Sequence, residues 1–153
     1  MIRRGASITR RIGKLDGNVF IRMQNVTSVR YSDRHATWEP SDGVRTVQLI
    51  GLSDYQSASQ NHVVVLRIGR NFFVGFNRKS GINANTREFG DQVTIHYWEG
   101  YEDTGRGGVS DLLAHLNQGE SYTTENWELS VVEIDLNSNP AVAKISLSNR
   151  DVK

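Results

Sequence analysis

Apolar and polar residues alternate along most of this chain with β-branched enrichment, and a period of two marks a strand that buries one face. Seven segments carry the pattern: residues 18–23, 46–52, 63–68, 72–77, 93–98, 127–134 and 142–147. Turn chemistry separates them, at Asp16-Gly17, Asp42-Gly43, Gly69-Arg70-Asn71, Ser80-Gly81 and the run Gly105-Arg106-Gly107-Gly108. The run from His62 to Leu66, followed across Gly69-Arg70-Asn71 by Phe72-Phe73-Val74, is apolar on both faces, so this hairpin is expected at the centre of the core. A second hairpin is expected at the end of the chain, where residues 127–135 meet residues 141–147 through the turn Leu136-Asn137-Ser138-Asn139-Pro140. Its alternation falters only at Val131-Val132. One helix is expected, about two turns over residues 110–116, with Ser110 as N-cap and Gly119 as stop. The pattern therefore predicts an all-β fold, an antiparallel sandwich or barrel of about seven or more strands with at most one short helix. Residues 18–153 form its single domain, and residues 1–17 an extended basic arm.

Composition narrows this picture without naming a function. The 153 residues, 37% hydrophobic and 23% charged, suit one globular core and no membrane-spanning helix. The N-terminal segment is basic but lacks the apolar run of a signal peptide. Zero cysteine excludes disulfides, thiol nucleophiles and Cys-type zinc sites together. A net charge of +1 conceals a polarity: residues 1–90 hold 14 basic and 6 acidic side chains, residues 91–153 hold 4 and 11. Opposed halves suit two faces of one fold, or head-to-tail contact between copies, better than wholesale nucleic-acid binding. Only the first 34 residues, with eight basic side chains against Asp16 and Asp33, could meet a polyanion. Within the arm, Arg3, Arg4, Arg10 and Arg11 are the candidate contacts to nucleic acid or to a neighbouring subunit.

Catalytic and metal chemistry lack the residues they need. His35, His62, His96 and His115 are scattered without the spacing that puts two imidazoles on one helical face, and His96 reads as a strand side chain at a sheet surface. No Gly-x-Ser-x-Gly elbow occurs. Asp135-x-Asn137-x-Asn139 imitates half a calcium loop but lacks its glycine and distal glutamate, so an Asx-capped turn ended by Pro140 accounts for it. No metal, no cofactor and no enzymatic activity are expected. The constellation with binding chemistry is Tyr97, Trp98, Tyr101 and Glu102, joined by Glu99 and Asp103. Planar rings beside carboxylates offer an apolar face and hydrogen-bond acceptors to a sugar ring or a cation, although solvation of a loop accounts for the same residues. Asn25-Val26-Thr27 is a glycosylation sequon, relevant only to a secreted eukaryotic chain.

Residues 72–96, with an aromatic strand, Asn77-Arg78, the turn Gly81-Ile82-Asn83 and then Gln92-Val93 before an apolar strand, resemble the region after the catalytic domain of gametolysin-like zinc metallopeptidases. Downstream, the order of Asp111-Leu112-Leu113-Ala114, Leu116 to Tyr122 and the closing hairpin is similar too, so the resemblance covers roughly residues 45–148. The zinc-binding His-Glu-x-x-His helix of that family is absent from this chain, and no catalytic residue carries over. The resemblance implies a non-catalytic, extracellular β accessory domain that binds its protease core, a glycan or a protein. Bottom-up, Arg78, Asn83 and Asn85 suit closing a loop through side-chain-to-backbone hydrogen bonds. The alternative expectation is a self-assembling capsid or fibre subunit, a homo-oligomer whose arginine arm adds to a neighbour.

Overall fold

A computed structural model of the chain describes residues 34–99 and 110–150. The described residues contain ten strands: β1 (His35–Trp38), β2 (Arg45–Leu49), β3 (His62–Val63), β4 (Val65–Ile68), β5 (Phe72–Asn77), β6 (Gln92–Tyr97), β7 (Asp111–Leu116), β8 (Ser121–Thr123), β9 (Trp127–Asp135) and β10 (Val142–Asn149). They form two five-stranded sheets, ordered β1-β4-β5-β6-β7 and β3-β2-β10-β9-β8. The all-β sandwich is as the alternation predicts. Each sheet is mixed rather than purely antiparallel, because β1 runs parallel to β4 and β3 parallel to β2. Among the described residues no helix is long and apolar enough to cross a membrane.

One face of each sheet meets the other. Val74, Phe76, Val93 and Ile95 of the first sheet pack with Val47, Leu129, Val131, Ala143, Ile145 and Leu147 of the second, and all are buried. The opposite face of the first sheet is covered as well. There Phe73, Val65 and Trp98 cluster with Ile50 and Val64 under Leu52, Tyr55 and Ala58, from the segment that includes the 3-10 turn Leu52–Ser57. The two apolar faces of the 62–74 hairpin thus serve two separate cores, and β5 lies centrally between β4 and β6. Its connection is tight at Gly69, whose φ of 61° is open to glycine and costly for most other residues. The continuous apolar run before it contains a break: β3 belongs to one sheet and β4 to the other, and the chain crosses between them at Val64, whose N–H donates to the Arg34 carbonyl at 2.7 Å.

Six of the seven predicted strands fall within the described residues and all six lie on strands; residues 18–23 lie outside them. The predicted helix is a correction. Residues 111–116 form β7, antiparallel to β6, and Ser110 is buried rather than capping a helix. Two turns of isolated helix are too short to repay nucleation, whereas β6 offers a ladder of backbone partners at once. The doubled leucine fits because the ladder skips Leu113: His96 pairs with Leu112 and Ile95 with Ala114. The faltering alternation at Val131-Val132 is likewise a bulge, with Lys144 opposite Glu133 and Ile145 opposite Val131, leaving Val132 half exposed. The turn between β9 and β10 is Asx-closed as expected, Asp135 Oδ1 accepting from the N–H groups of Asn137 and Ser138 at 2.9 and 3.2 Å.

Candidate functional site

Antiparallel pairing sets Phe72, the first residue of β5, directly across from Tyr97, the last of β6, both facing the second sheet at one end of the sandwich. Their rings meet edge to face at 5.3 Å. Phe72 is also edge-on to Trp127 at 5.2 Å, and Trp127 lies 5.9 Å from Tyr122 of β8. Four rings from β5, β6, β8 and β9 therefore form one chain between the two sheets. Trp127 is buried, while Phe72, Tyr97 and Tyr122 are half-buried. Edge-to-face contact, the favoured arrangement of ring quadrupoles, holds Phe72 against Tyr97 and Trp127, while Tyr122 lies tilted against Trp127.

The surrounding backbone is braced. Asn71 Nδ2 donates to the carbonyls of Trp98 and Glu99 at 2.8 and 3.4 Å, and the Trp98 N–H returns a bond to the Asn71 carbonyl at 2.9 Å. Thr124 Oγ1 accepts from the N–H groups of Asn126 and Trp127 at 3.2 and 3.0 Å, and Arg150 Nη1 donates to the Thr124 carbonyl at 2.9 Å. Exposed carboxylates border the rings: Asp111 opposite Tyr97, Glu99 just past β6, and Glu125 before Trp127. Such an end can offer ring edges to the apolar face of a ligand and acceptors to its hydroxyls.

Only part of the surface expected from sequence is brought together here. Successive residues of an extended chain point to opposite faces. Tyr97 accordingly joins the aromatic end, while Trp98 turns to the far side of the first sheet, 4% exposed and 6.4 Å from Phe73. Tyr101 and Glu102 lie outside the described residues, as do Arg3, Arg4, Arg10 and Arg11. Phe72, Tyr122 and Trp127 were missed because only long-range pairing gathers them. The available signal was an aromatic residue at the rim of three different strands.

A polar knot closes the opposite end of β5 and β6. Arg78 Nη1 donates to Asp91 Oδ1 at 2.7 Å, its Nε lies 3.7 Å from Asp54 Oδ2, and the Lys79 N–H donates to the same Asp91 oxygen at 2.9 Å. Ser80 Oγ donates to Asp54 Oδ1 at 3.4 Å and lies 3.0 Å from Ser53 Oγ. Asn77 Nδ2 ties down the carbonyls of Glu88 and Phe89. Phe89 and Asp91 are both left-handed, with φ of 58° and 60°, and the Phe89 ring stacks on His115 at 4.0 Å. Loop closure is thus as sequence suggested in kind but not in residue: Asn77 and Asp91 make the bonds to backbone, Arg78 is engaged by carboxylates, Asn85 is exposed, and Asn83 Oδ1 is buried without a partner. The knot depends on close approach at Gly51, where a Cβ would collide with Arg78 Cβ and sit 3.5 Å from its Cα. Gly51→Ala is expected to cost about 1–3 kcal/mol in urea unfolding, since the atom it meets is the fixed root of a side chain.

The histidines are dispersed over β1, β3, β6 and β7. His96 is not at a sheet surface: it is 1% exposed, opposite Phe73, and burial pushes its imidazole down to about 3. Burial, then the neighbouring Arg67, lowers His35; burial, then Arg34, lowers His62. Among the described residues no three His, Asp or Glu side chains gather where an ion could be held. No protein-family model, curated protein or solved structure matches the chain.

Proposed function

We propose that this chain is a non-catalytic, extracellular β accessory domain that works by binding, with the aromatic end as its contact face and a glycan as its ligand. The observation that supports the reading best is the row of rings itself, since three half-buried aromatics and one buried tryptophan on four braced strands give a preformed apolar platform bordered by carboxylates. Burying a ring edge under a sugar face uses that platform without ordering any new backbone. The resemblance to the region after the catalytic domain of gametolysin-like metallopeptidases supports the same placement beside a protease core.

Affinity electrophoresis of the full chain in gels carrying soluble polysaccharides tests the proposal. Retardation by one polysaccharide, lost in Tyr97→Ala and kept in Tyr97→Phe, is the expected result. Equal retardation of the wild type and Tyr97→Ala, or none with any glycan, would sink it. The opposed charges of the two halves favour a second reading, self-assembly through head-to-tail contacts. Particle masses that grow as salt is lowered would select it, because contacts between exposed charges weaken with ionic strength.

A further inference from the structure

The aromatic end has two accessible parts, and they stand on different sheets. Phe72 and Tyr97, paired across β5 and β6, belong to the first sheet, and Tyr122 of β8 belongs to the second. All three are half-buried, so each keeps part of its ring at the surface. Trp127 of β9 joins them from within. It is only 4% exposed, and it meets Phe72 edge-on at 5.2 Å and Tyr122 at 5.9 Å. The accessible rings are therefore two patches, linked across the gap between the sheets by a ring that is itself enclosed.

Each patch is tied to its own backbone. Asn71 Nδ2 and the Asn71 carbonyl lock the start of β5 to the end of β6, through the Trp98 carbonyl at 2.8 Å and the Trp98 N–H at 2.9 Å. The turn from β8 into β9 is closed at Thr124, whose N–H donates to the Trp127 carbonyl at 2.8 Å and whose Oγ1 accepts from the Trp127 N–H at 3.0 Å. Tyr122 itself pairs with Leu129, a residue of the core between the sheets. The span between the patches is thus set before any ligand arrives, and engaging both costs no ordering of the protein. Contact at the second patch by a ligand already held at the first is intramolecular, so the two contacts reinforce each other. A single sugar is no larger than one of these rings and covers one patch at a time.

We propose that the ligand of the aromatic end is an extended oligosaccharide chain of several units that crosses from the first sheet to the second, held by Phe72 and Tyr97 at one end and by Tyr122 at the other. The inference rests on the glycan reading above and specifies its ligand: chain length, not the identity of one terminal sugar, governs recognition. Tyr122 becomes the residue that measures length, and the Phe72–Tyr97 pair the residues that capture any sugar of the chain.

The test adds oligosaccharides of one to six units, cut from whichever polysaccharide retards the full chain, as competitors in the affinity gels. The molar concentration that halves retardation is expected to fall about tenfold between the disaccharide and the hexasaccharide, the gain from one further ring contact. Tyr122→Ala is expected to abolish that gain while the disaccharide competes as before, and Tyr122→Phe, which keeps the ring, to retain it. The wild-type series is decisive by itself should Tyr122→Ala fail to fold. A mono- or disaccharide that competes as well as the hexasaccharide, or a length dependence unchanged in Tyr122→Ala, would overturn the spanning ligand while the glycan reading stands. Absence of retardation by every polysaccharide would overturn both.

Discussion

Acidification from neutrality to about pH 4 is expected to destabilise the fold by about 3 kcal/mol through His96 alone. The ring is enclosed on the covered face of the first sheet, opposite Phe73, and an imidazolium there would lose its hydration. It stays neutral in the folded chain until about pH 3, whereas in the unfolded chain it takes up a proton near its ordinary value of 6.5. Between those values the unfolded state binds more protons. The contribution of His96 is therefore complete above pH 6.5 and falls away as the pH drops toward 3. His35 and His62, both lowered, add in the same direction with smaller weight. Urea midpoints measured across this range should slope downward with acid, and His96→Gln, which cannot be protonated, should flatten most of the slope. A slope that survives His96→Gln unchanged would assign acid sensitivity elsewhere.

What the alternation could specify, and what it could not, follows from how far apart the partners lie. Residues 72–77 and 142–147 read as strands because each carries its own period-two record, and both are strands. His35–Trp38 and Ser121–Thr123 are too short to carry such a record, and they become strands because β4 and β9 present backbone partners. Asp111 to Leu116 shows the conflict most plainly. Its local residues accept a helix, and the ladder with β6 decides otherwise at the cost of one bulged leucine. The same limit applied to the contact surface. Tyr97 and Trp98 are neighbours in sequence and appeared as one aromatic patch, yet consecutive positions at a strand end diverge, and the rings that join Tyr97 come from residues 25 to 30 positions away on three other strands. The crossover at Val64 was equally hidden, since an unbroken apolar run does not show on which residue the chain leaves one sheet for the other.

Phe73→Ala is expected to cost about 3–5 kcal/mol, the range for deleting a fully enclosed aromatic ring. Phe73 has no exposed surface, has its ring centre 6.4 Å from that of Trp98, and is roofed by Leu52, Tyr55 and Ala58 together with Ile50 and Val64. The segment that roofs it includes Asp54, which meets Arg78, so the cavity left by the ring cannot close without disturbing the polar knot. The substitution separates two roles for this face of the sheet. If Phe73 and Trp98 form a structural layer, the variant unfolds at much lower urea while any folded fraction binds polysaccharide as the wild type does, and Tyr97→Ala shows the opposite profile, a smaller loss of stability with loss of binding. Were Phe73→Ala to keep its stability and lose retardation on the polysaccharide gel, the ligand would sit against Trp98, and the contact face would belong to the outer side of the first sheet instead of the end of the sandwich. The difference rests on side-chain direction alone, because Phe72 and Phe73 are adjacent residues of one strand that pack into opposite clusters.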